Sequence, residues 1–214
     1  MPWFEGCEAS LNPMILNSLN PLFAACADRA DVPVDPLSTC QYLGSDIEAT
    51  STRVGALVYE VDGVAQGTGT PGVFSFVPRL IIGGITYDKG IFTHAASEVV
   101  FELDAQWATL SACAGLAQIP NTNCGTGRSN DGGDVAFTVL ADTDTEAPRV
   151  LWSSGTMHGG TADGLTNCFS VPVTGVNQVT LRADSDGTQN CDSAAWGELK
   201  VCAESDDSCT YSVH

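Results

Sequence analysis

From Cys40 onward the sequence consists of short apolar or alternating segments, most of them ended by glycine, asparagine or aspartate. Short segments of this kind with turn residues between them predict β-strands, and no stretch of this region carries a sustained helical period. The predicted strands cover residues 54–61, 74–82, 98–103, 107–113, 134–141, 150–154, 167–173, 178–184 and 196–203. The pattern therefore predicts an all-β fold, organised as an antiparallel β-sandwich.

Nine cysteines are scattered along the 214 residues, at positions 7, 26, 40, 113, 124, 168, 191, 202 and 209. None forms a C-x-x-C pair, and none has a histidine at the spacing of a zinc site. Cysteines at this density in an acidic chain predict a disulfide-braced, secreted protein; buried thiols of a reduced protein are the alternative. The odd count leaves one thiol free or paired elsewhere, so a covalent dimer is one predicted partner state.

The charge balance narrows the choice of partners. With 26 acidic and 8 basic residues, the chain has a formal net charge of −18 at pH 7. Phosphate backbones and anionic membrane surfaces repel such a chain, because both are bound through lysine and arginine. No apolar stretch reaches membrane-spanning length, and no secretory signal is visible near Met1. These features argue against nucleic acid and membrane insertion, and they suit cations such as calcium.

The first 39 residues differ from the rest of the chain. They hold five of the ten prolines, and Pro21 interrupts the segment between Pro13 and Ala30 where a helix could form. We interpret residues 1–39 as a proline-rich, cysteine-containing N-terminal extension. Residues 40–203 are interpreted as the sandwich domain and residues 204–214 as an acidic C-terminal tail.

Two segments carry a more specific pattern. The first runs from Ile82 to Ala95 and contains Tyr-Asp-Lys-Gly at 87–90 and Thr-His-Ala at 93–95. The second is Cys-Asp-Ser-Ala-Ala-Trp-Gly-Glu-Leu at 191–199. In this order and spacing they resemble the NPCBM family of carbohydrate-binding modules, which are often appended to glycoside hydrolases. The resemblance covers residues 40–203. It implies a discoidin-like, galactose-binding-like jelly roll that binds sugar through loops at one end and catalyses nothing.

The resemblance also bears on metal binding. Structural calcium is frequent in such sandwiches, and the resemblance suggests Glu198 and Asp46 as a pair of ligands. Two acidic loop clusters, at 142–146 and 184–187, are alternative sets of oxygen ligands, although neither matches an EF-hand loop. The chain departs from the family pattern at Ser193, where a histidine is common, and this departure predicts a different ligand or lost binding if that histidine contacts sugar.

Candidate sugar contacts are residues whose side chains suit the chemical groups on the surface of a sugar. An aromatic ring suits its apolar C–H face, and planar polar groups suit its rim of hydroxyls. Trp196 is the stacking candidate, with a place in the core as an equal alternative. The imidazole of His94 follows a glycine turn and can donate to or accept from a hydroxyl, with a histidine satisfied by the backbone as the alternative. Asp192 and Asn190 offer acceptors and donors or serve as turn residues, and Arg128 is a further candidate at the rim.

Other aromatic and histidine side chains are assigned to the scaffold. Trp107 and Trp152 lie inside apolar strand patterns and are predicted to fill the core. Tyr87, within the first motif, is also predicted to pack. His158 lies in a glycine-rich turn and is predicted to be a plain surface residue.

The loop from Gly115 to Gly133 is long and polar. Loops of this length in a compact sandwich are usually functional or disordered. Cys113 at its base and Cys124 within it suggest a disulfide that would order the loop. The other predicted pairs join Cys168 to Cys191 and the N-terminal cysteines to one of Cys40, Cys202 or Cys209, although pairing is not readable from sequence.

Three functions remain after these observations. The preferred one is a secreted, non-catalytic module that recognises a glycan or polysaccharide through loops at one end of the sandwich. The alternatives are a secreted structural or adhesive matrix protein on the same scaffold, and the non-catalytic part of a glycoside hydrolase. Hydrolysis needs two carboxylates that flank the scissile bond. We expect this chain to show no hydrolytic activity. No G-x-S-x-G elbow supports a serine nucleophile.

Overall fold

A computed structural model of the chain describes residues 40–55, 59–68, 73–119, 133–142, 148–159, 166–187 and 189–203. Within these residues the chain forms β-strands and no helix, and so none that could cross a membrane. The strands are β1 (Cys40–Tyr42), β2 (Ser51–Val54), β3 (Glu60–Val61), β4 (Val64–Gly67), β5 (Phe74–Val77), β6 (Leu80–Ile82), β7 (Ile85–Tyr87), β8 (Gly90–His94), β9 (Ser97–Glu102), β10 (Thr109–Leu116), β11 (Asp134–Ala141), β12 (Arg149–His158), β13 (Asn167–Pro172), β14 (Gln178–Ser185) and β15 (Ser193–Cys202).

Two antiparallel sheets form the sandwich. In the six-stranded sheet the order is β13-β10-β15-β8-β3, and β1 also pairs with β15. In the five-stranded sheet the order is β12-β11-β14-β9-β2. The predicted all-β, antiparallel sandwich is confirmed. The predicted N-terminal extension and C-terminal tail lie outside the described residues and stay predictions.

The main core lies between these two sheets. Strand β11 shows the underlying pattern, because Val135, Phe137 and Val139 are fully buried while the residues between them are half-buried. Alternation of this kind places every second side chain on the inner face of a sheet. The rings of Trp152 and Phe169 stack at 4.2 Å within this core. As predicted, Trp107 belongs to the core, whereas Trp152 is partly buried and packs against it.

A second apolar cluster covers the outer face of the six-stranded sheet. Hairpins β4–β5 and β6–β7 contribute Val64, Leu80 and Ile82, which pack with Phe92 of β8. The preceding residue of β8, Ile91, belongs to the main core. Strand β8 is therefore buried on both faces, and its sequence shows no alternation.

The first sequence motif builds this layer. A Cβ atom at Gly90 would lie 2.2 Å from the carbonyl oxygen of Trp196, so only glycine fits where β8 approaches β15. A Cβ at Gly197 would lie 2.5 Å from the ring of Tyr87, which is buried as predicted. Lys89 forms an ion pair with Asp62 at 2.8 Å. Tyr87, Lys89 and Gly90 of this motif therefore make contacts within the scaffold.

Two disulfides join neighbouring strands, and they correct the predicted pairing. Cys113 of β10 bonds to Cys168 of β13, and Cys40 of β1 bonds to Cys202 of β15. Each pair sits at directly opposed positions of the sheet register. The predicted pairs Cys113–Cys124 and Cys168–Cys191, and the predicted bonds from the N-terminal cysteines to Cys40 or Cys202, are therefore wrong. Cys191 is disulfide-bonded, but Cys7, Cys26, Cys124 and Cys209 lie outside the described residues.

Candidate functional site

Polar side chains gather where several strands end. His94 ends β8, Asp134 begins β11, His158 ends β12 and Ser185 ends β14. The pairing registers place these residues at one end of the sandwich, because β8 ends opposite the start of β15 and β12 ends opposite the start of β11. Together with Asn190, which precedes β15, these residues form the strand-end face.

Asp192 lies beneath the strand-end face and joins its strands. Its side chain is fully buried. Oδ1 accepts a hydrogen bond from the Asp134 backbone N–H at 3.0 Å, and Oδ2 accepts one from the Ser185 hydroxyl. The Asp192 carbonyl accepts from the Ala95 N–H at 2.9 Å. Burial raises the pKa of the Asp192 carboxyl, while the hydrogen bonds from Ser185 and Asp134 oppose the rise.

The enclosure of Asp192 assigns it a role other than the predicted one. A carboxylate with no exposed surface cannot accept a hydrogen bond from a sugar hydroxyl. The prediction that Asp192 contacts sugar is therefore wrong. Its backbone and side-chain bonds instead fix the relative positions of β8, β11 and β14 at this end.

His94 presents only an edge to the surface, since 6% of the residue is exposed. Its Nδ1 lies 2.9 Å from the Ala95 carbonyl oxygen. A carbonyl only accepts, so Nδ1 carries the hydrogen and Nε2 of the neutral ring is an acceptor. The neighbouring Thr93 hydroxyl accepts a hydrogen bond from Ser97 at 2.9 Å. The predicted contact of His94 with a ligand stays a prediction.

His158 and Asp134 form the exposed part of the face. Nδ1 of His158 lies 2.8 Å from Oδ1 of Asp134, and their side chains are 61% and 45% exposed. Next to them, the Thr156 hydroxyl donates to Oδ2 of Asp186 at 3.2 Å. His158 is exposed, in agreement with its predicted surface position, but no sequence pattern indicated Asp134 as a site residue. Their juxtaposition follows from the β11–β12 register, in which Asp134 and His158 are direct partners.

Trp196 does not belong to the surface. The residue is 1% exposed, and its ring meets the ring of Phe137 edge-on at 5.2 Å. Phe169 and Trp152 contact it from other sides, at 6.2 and 6.3 Å between ring centroids. A ring enclosed in this way has no face to offer a sugar. The prediction that Trp196 stacks on a ligand is wrong, and the core alternative is correct.

The remaining predicted sugar contacts have different outcomes. Asn190 is exposed at the turn before β15, where its amide can reach a ligand at the strand-end face. Arg128 lies outside the described residues, within the segment 120–132 that leads into β11. Its predicted contact at the rim stays a prediction.

The two predicted calcium ligands lie away from this end of the sandwich. Oδ2 of Asp46 accepts from the Tyr42 N–H at 2.9 Å, and Oε2 of Glu198 accepts from the Tyr42 hydroxyl at 3.1 Å. Tyr42 thus connects the two carboxylates. Within the described ranges, no three His, Cys, Asp or Glu residues are grouped as a metal site would require. Calcium binding by Asp46 and Glu198 stays a prediction.

Comparison with known proteins adds a family match. The model of the family described as the NPCBM/NEW2 domain matches residues 41–202. An alpha-1,3-galactosidase B of Akkermansia muciniphila is 33% identical over 123 residues, which are 56% of this chain and 14% of that protein. A Renibacterium salmoninarum protein, provisionally named an endo-alpha-N-acetylgalactosaminidase, is 29% identical over 134 residues. These residues are 63% of this chain and 7% of that protein, so the chain spans a small part of either relative.

Among solved structures, the fold is similar to a CBM51 module from a Clostridium perfringens GH95 protein, solved in complex with methyl-galactose. The two share 22% sequence identity with a TM-score of 0.55. The match covers 76% of this chain and 99% of that module. At this identity, the likeness identifies the sandwich architecture of the chain.

Proposed function

The chain belongs to the NPCBM/NEW2 domain family, a family of carbohydrate-binding modules, and we propose that it binds the terminal sugar of a glycan at its strand-end face without catalysing a reaction. The family match carries the proposal, because it spans residues 41–202 and therefore both sheets. The strand-end face is the part of the described chain whose exposed polar groups best suit a sugar rim.

The chemistry of the face supports this role. A sugar hydroxyl donates one hydrogen bond and accepts others, so it needs both kinds of partner. The imidazole of His158, the carboxylate of Asp134 and the amide of Asn190 supply them at one surface. The buried Asp192 bonds to the backbone of Asp134 and to Ser185. Polar groups held in place before binding lose less entropy when a ligand arrives.

We further propose that the sugar has the galactose configuration. The solved CBM51 relative holds methyl-galactose, and both curated relatives are named for the hydrolysis of galactose-type linkages. Galactose and N-acetylgalactosamine share an axial hydroxyl at carbon 4. A module that recognises this hydroxyl binds both sugars and discriminates against glucose, in which the hydroxyl is equatorial.

The setting of the module follows from the same relatives. The matched segment is 7% and 14% of their length, which supports a role as the sugar-binding part of a larger glycan-degrading protein. Two disulfides connect neighbouring strands of this domain, and disulfides persist in oxidising compartments. We propose that the module acts outside the cell, where glycans are presented to it.

A glycan array with variant controls tests the proposal. The wild-type chain, His158→Ala and Arg149→Ala are applied to glycans ending in galactose, N-acetylgalactosamine or glucose, each with calcium and with EDTA. Arg149 is an exposed residue at the other end of the strand that His158 ends, so it is a matched control. We expect binding to galactose-type termini, a loss of about tenfold or more in His158→Ala, and no change in Arg149→Ala.

Each other outcome would contradict a separate part of the proposal. A blank array from a chain that is folded by circular dichroism would reject the module and favour a matrix protein. Equal binding by His158→Ala and wild type would place the site away from the strand-end face. Release of nitrophenol from nitrophenyl galactosides by the purified chain would show that it is an enzyme.

A further inference from the structure

A small open cavity lies on the outer face of the five-stranded sheet, next to the strand-end face. It has a volume of about 60 Å³ and is lined by Arg53, Ala96, Ser97, Glu98 and Asp184. The pairing of β2, β9 and β14 builds it, because Arg53 and Arg182 both stand opposite Glu98 in the register. This pocket is named the Arg53 cavity.

The Arg53 cavity adjoins the strand-end face along two connections. Asp184 is two residues from Asp186, a distance of about 7 Å along an extended strand. Ala96 follows Ala95, whose backbone N–H donates to the Asp192 carbonyl oxygen. A ligand at the strand-end face can therefore reach the cavity when it extends by another sugar ring.

The charged groups of the cavity are only partly paired with one another. Arg182 uses Nε and Nη2 on a single oxygen of Glu98, Oε1, at 2.9 and 2.7 Å. The other oxygen, Oε2, lies 3.8 Å from Nη1 of Arg53, too far for a hydrogen bond. The Arg53 side chain is 84% exposed. Asp184 is exposed, and its carboxylate makes no hydrogen bond or ion pair to the described part of the chain.

These free groups suit neutral sugar hydroxyls. The Arg53 guanidinium only donates, while Oε2 of Glu98 and the Asp184 carboxylate only accept. Adjacent hydroxyls of a pyranose can accept from the guanidinium and donate to the two carboxylates at the same time. Hydrogen bonds to charged partners are roughly twice as strong as neutral ones.

The balance of charge selects against acidic sugars. Two arginines and two carboxylates meet here, so the cavity has no excess positive charge for a carboxylate or sulfate. Arg182 is already paired with Glu98, and the whole chain carries a net charge of −18. An anionic sugar that enters the cavity meets Glu98 and Asp184, and like charges at short range repel.

We propose that Arg53, Glu98 and Asp184 form a second subsite, which binds adjacent hydroxyls of a neutral sugar one residue beyond the terminal one. The inference rests on the proposed carbohydrate binding and adds the length and charge class of the ligand. A disaccharide that fills both places binds more tightly than its terminal monosaccharide.

Calorimetry with three probes tests this subsite. The probes are methyl β-galactoside, the neutral disaccharide N-acetyllactosamine and its form sulfated at carbon 6 of the N-acetylglucosamine, which keeps the terminal galactose unmodified. We expect the wild-type chain to bind N-acetyllactosamine about tenfold more tightly than the monosaccharide, and the sulfated form less tightly than the neutral one. In Arg53→Ala and Asp184→Asn the disaccharide's advantage falls toward one, and in the control Arg149→Ala it is unchanged.

Failure of the second subsite and failure of galactose recognition give different results. If Arg53→Ala and Asp184→Asn keep the full disaccharide advantage, the second subsite is rejected while terminal-sugar binding stands. Tighter binding of the sulfated probe than of the neutral one rejects the neutral class. If the folded wild-type chain binds none of the three probes, galactose recognition itself is rejected, and the subsite with it. Arg53 is largely exposed, so its replacement leaves the core intact.

Discussion

The surroundings of Asp192 disfavour the charged form of its carboxyl group. Its folded-state pKa is raised above the ordinary value of 3.8, mainly because burial disfavours the charged form. Between 3.8 and the raised pKa, the folded chain therefore holds more protons at this site than the unfolded chain. The free energy of unfolding then falls as the pH rises through this interval, and the stabilisation is complete only below 3.8.

Replacement of Asp192 by asparagine should remove this pH dependence. The amide oxygen can still accept from the Asp134 N–H, and the amide nitrogen can donate to the Ser185 oxygen. We expect Asp192→Asn to be at least as stable as wild type at pH 7, and the decrease in stability just above pH 3.8 to be smaller. Asp192→Ala also removes the titrating group but loses both bonds, so it should be about 1–3 kcal/mol less stable than Asp192→Asn at every pH.

Urea denaturation at several pH values between 3 and 7 separates the two variants. Asp192→Ala is the control for loss of the hydrogen bonds, since it removes the charge and the bonds together. If Asp192→Asn proved as unstable at pH 7 as Asp192→Ala, the ionised carboxylate would be stabilising, and the assignment of burial as the dominant effect would be wrong.

At the level of elements, β13 depends on few contacts. Among the described strands, it lies at the edge of the six-stranded sheet and pairs with β10 alone. The Cys113–Cys168 disulfide fastens it, at a sequence separation of 55 residues. A cross-link over a loop of this length typically stabilises the folded state by about 2–4 kcal/mol, largely through the unfolded chain.

Replacement of Cys113 and Cys168 by serine should therefore loosen β13 first. We expect a stability loss of about 2–4 kcal/mol and faster amide exchange in β13, while β11 and β14 stay protected. Hydrogen exchange measured by mass spectrometry reports the faster exchange in β13 and the protection of β11 and β14. The Cys40→Ser/Cys202→Ser pair is the matched control, which should loosen β1 instead. Equal exchange over all strands in both variants would contradict a local role for either disulfide.

The strands whose sequences alternate between buried and less buried positions could be predicted from the sequence. Residues 134–141 alternate between apolar and less apolar positions, and β11 has the predicted bounds. Residues 74–82 were predicted as one strand, but the chain turns at Pro78 and Arg79 and forms two. Strand β8 is buried on both faces, so it shows no alternation that a pattern could detect.

The site contacts that the sequence pattern did not predict depend on how the strands pair across the sheets. Trp196 follows a turn in sequence, yet β15 lies between β10 and β8, and this central place encloses the ring. Cys113 meets Cys168 because β10 pairs with β13 in one register. His158 and Asp134 meet for the same reason on β12 and β11. Registers depend on the whole fold, and of the residues of the strand-end face only His94 lies within a sequence motif.

For the whole molecule, the excess of acidic residues predicts a dependence of stability on salt. The net charge is −18, and within the described residues three ion pairs connect Lys or Arg to acidic side chains, two of them through Glu98. Most carboxylates therefore repel one another across the folded surface, which destabilises the compact state. Salt screens this repulsion, because the Debye length falls from about 30 Å at 0.01 M to about 8 Å at 0.15 M.

We expect the Tm to rise as NaCl is increased from 0.01 to 0.15 M, by about 2–4 °C for each kcal/mol that screening restores. Calorimetry in NaCl and in CaCl₂ at equal ionic strength separates screening from specific binding. If calcium binds at Asp46 and Glu198, CaCl₂ raises the Tm beyond NaCl, and Asp46→Asn/Glu198→Gln removes the difference while keeping the response to NaCl. An equal Tm in the two salts would leave screening as the whole effect and reject the calcium site. A Tm that falls as NaCl is added would show that attractive charge pairs outweigh the repulsion.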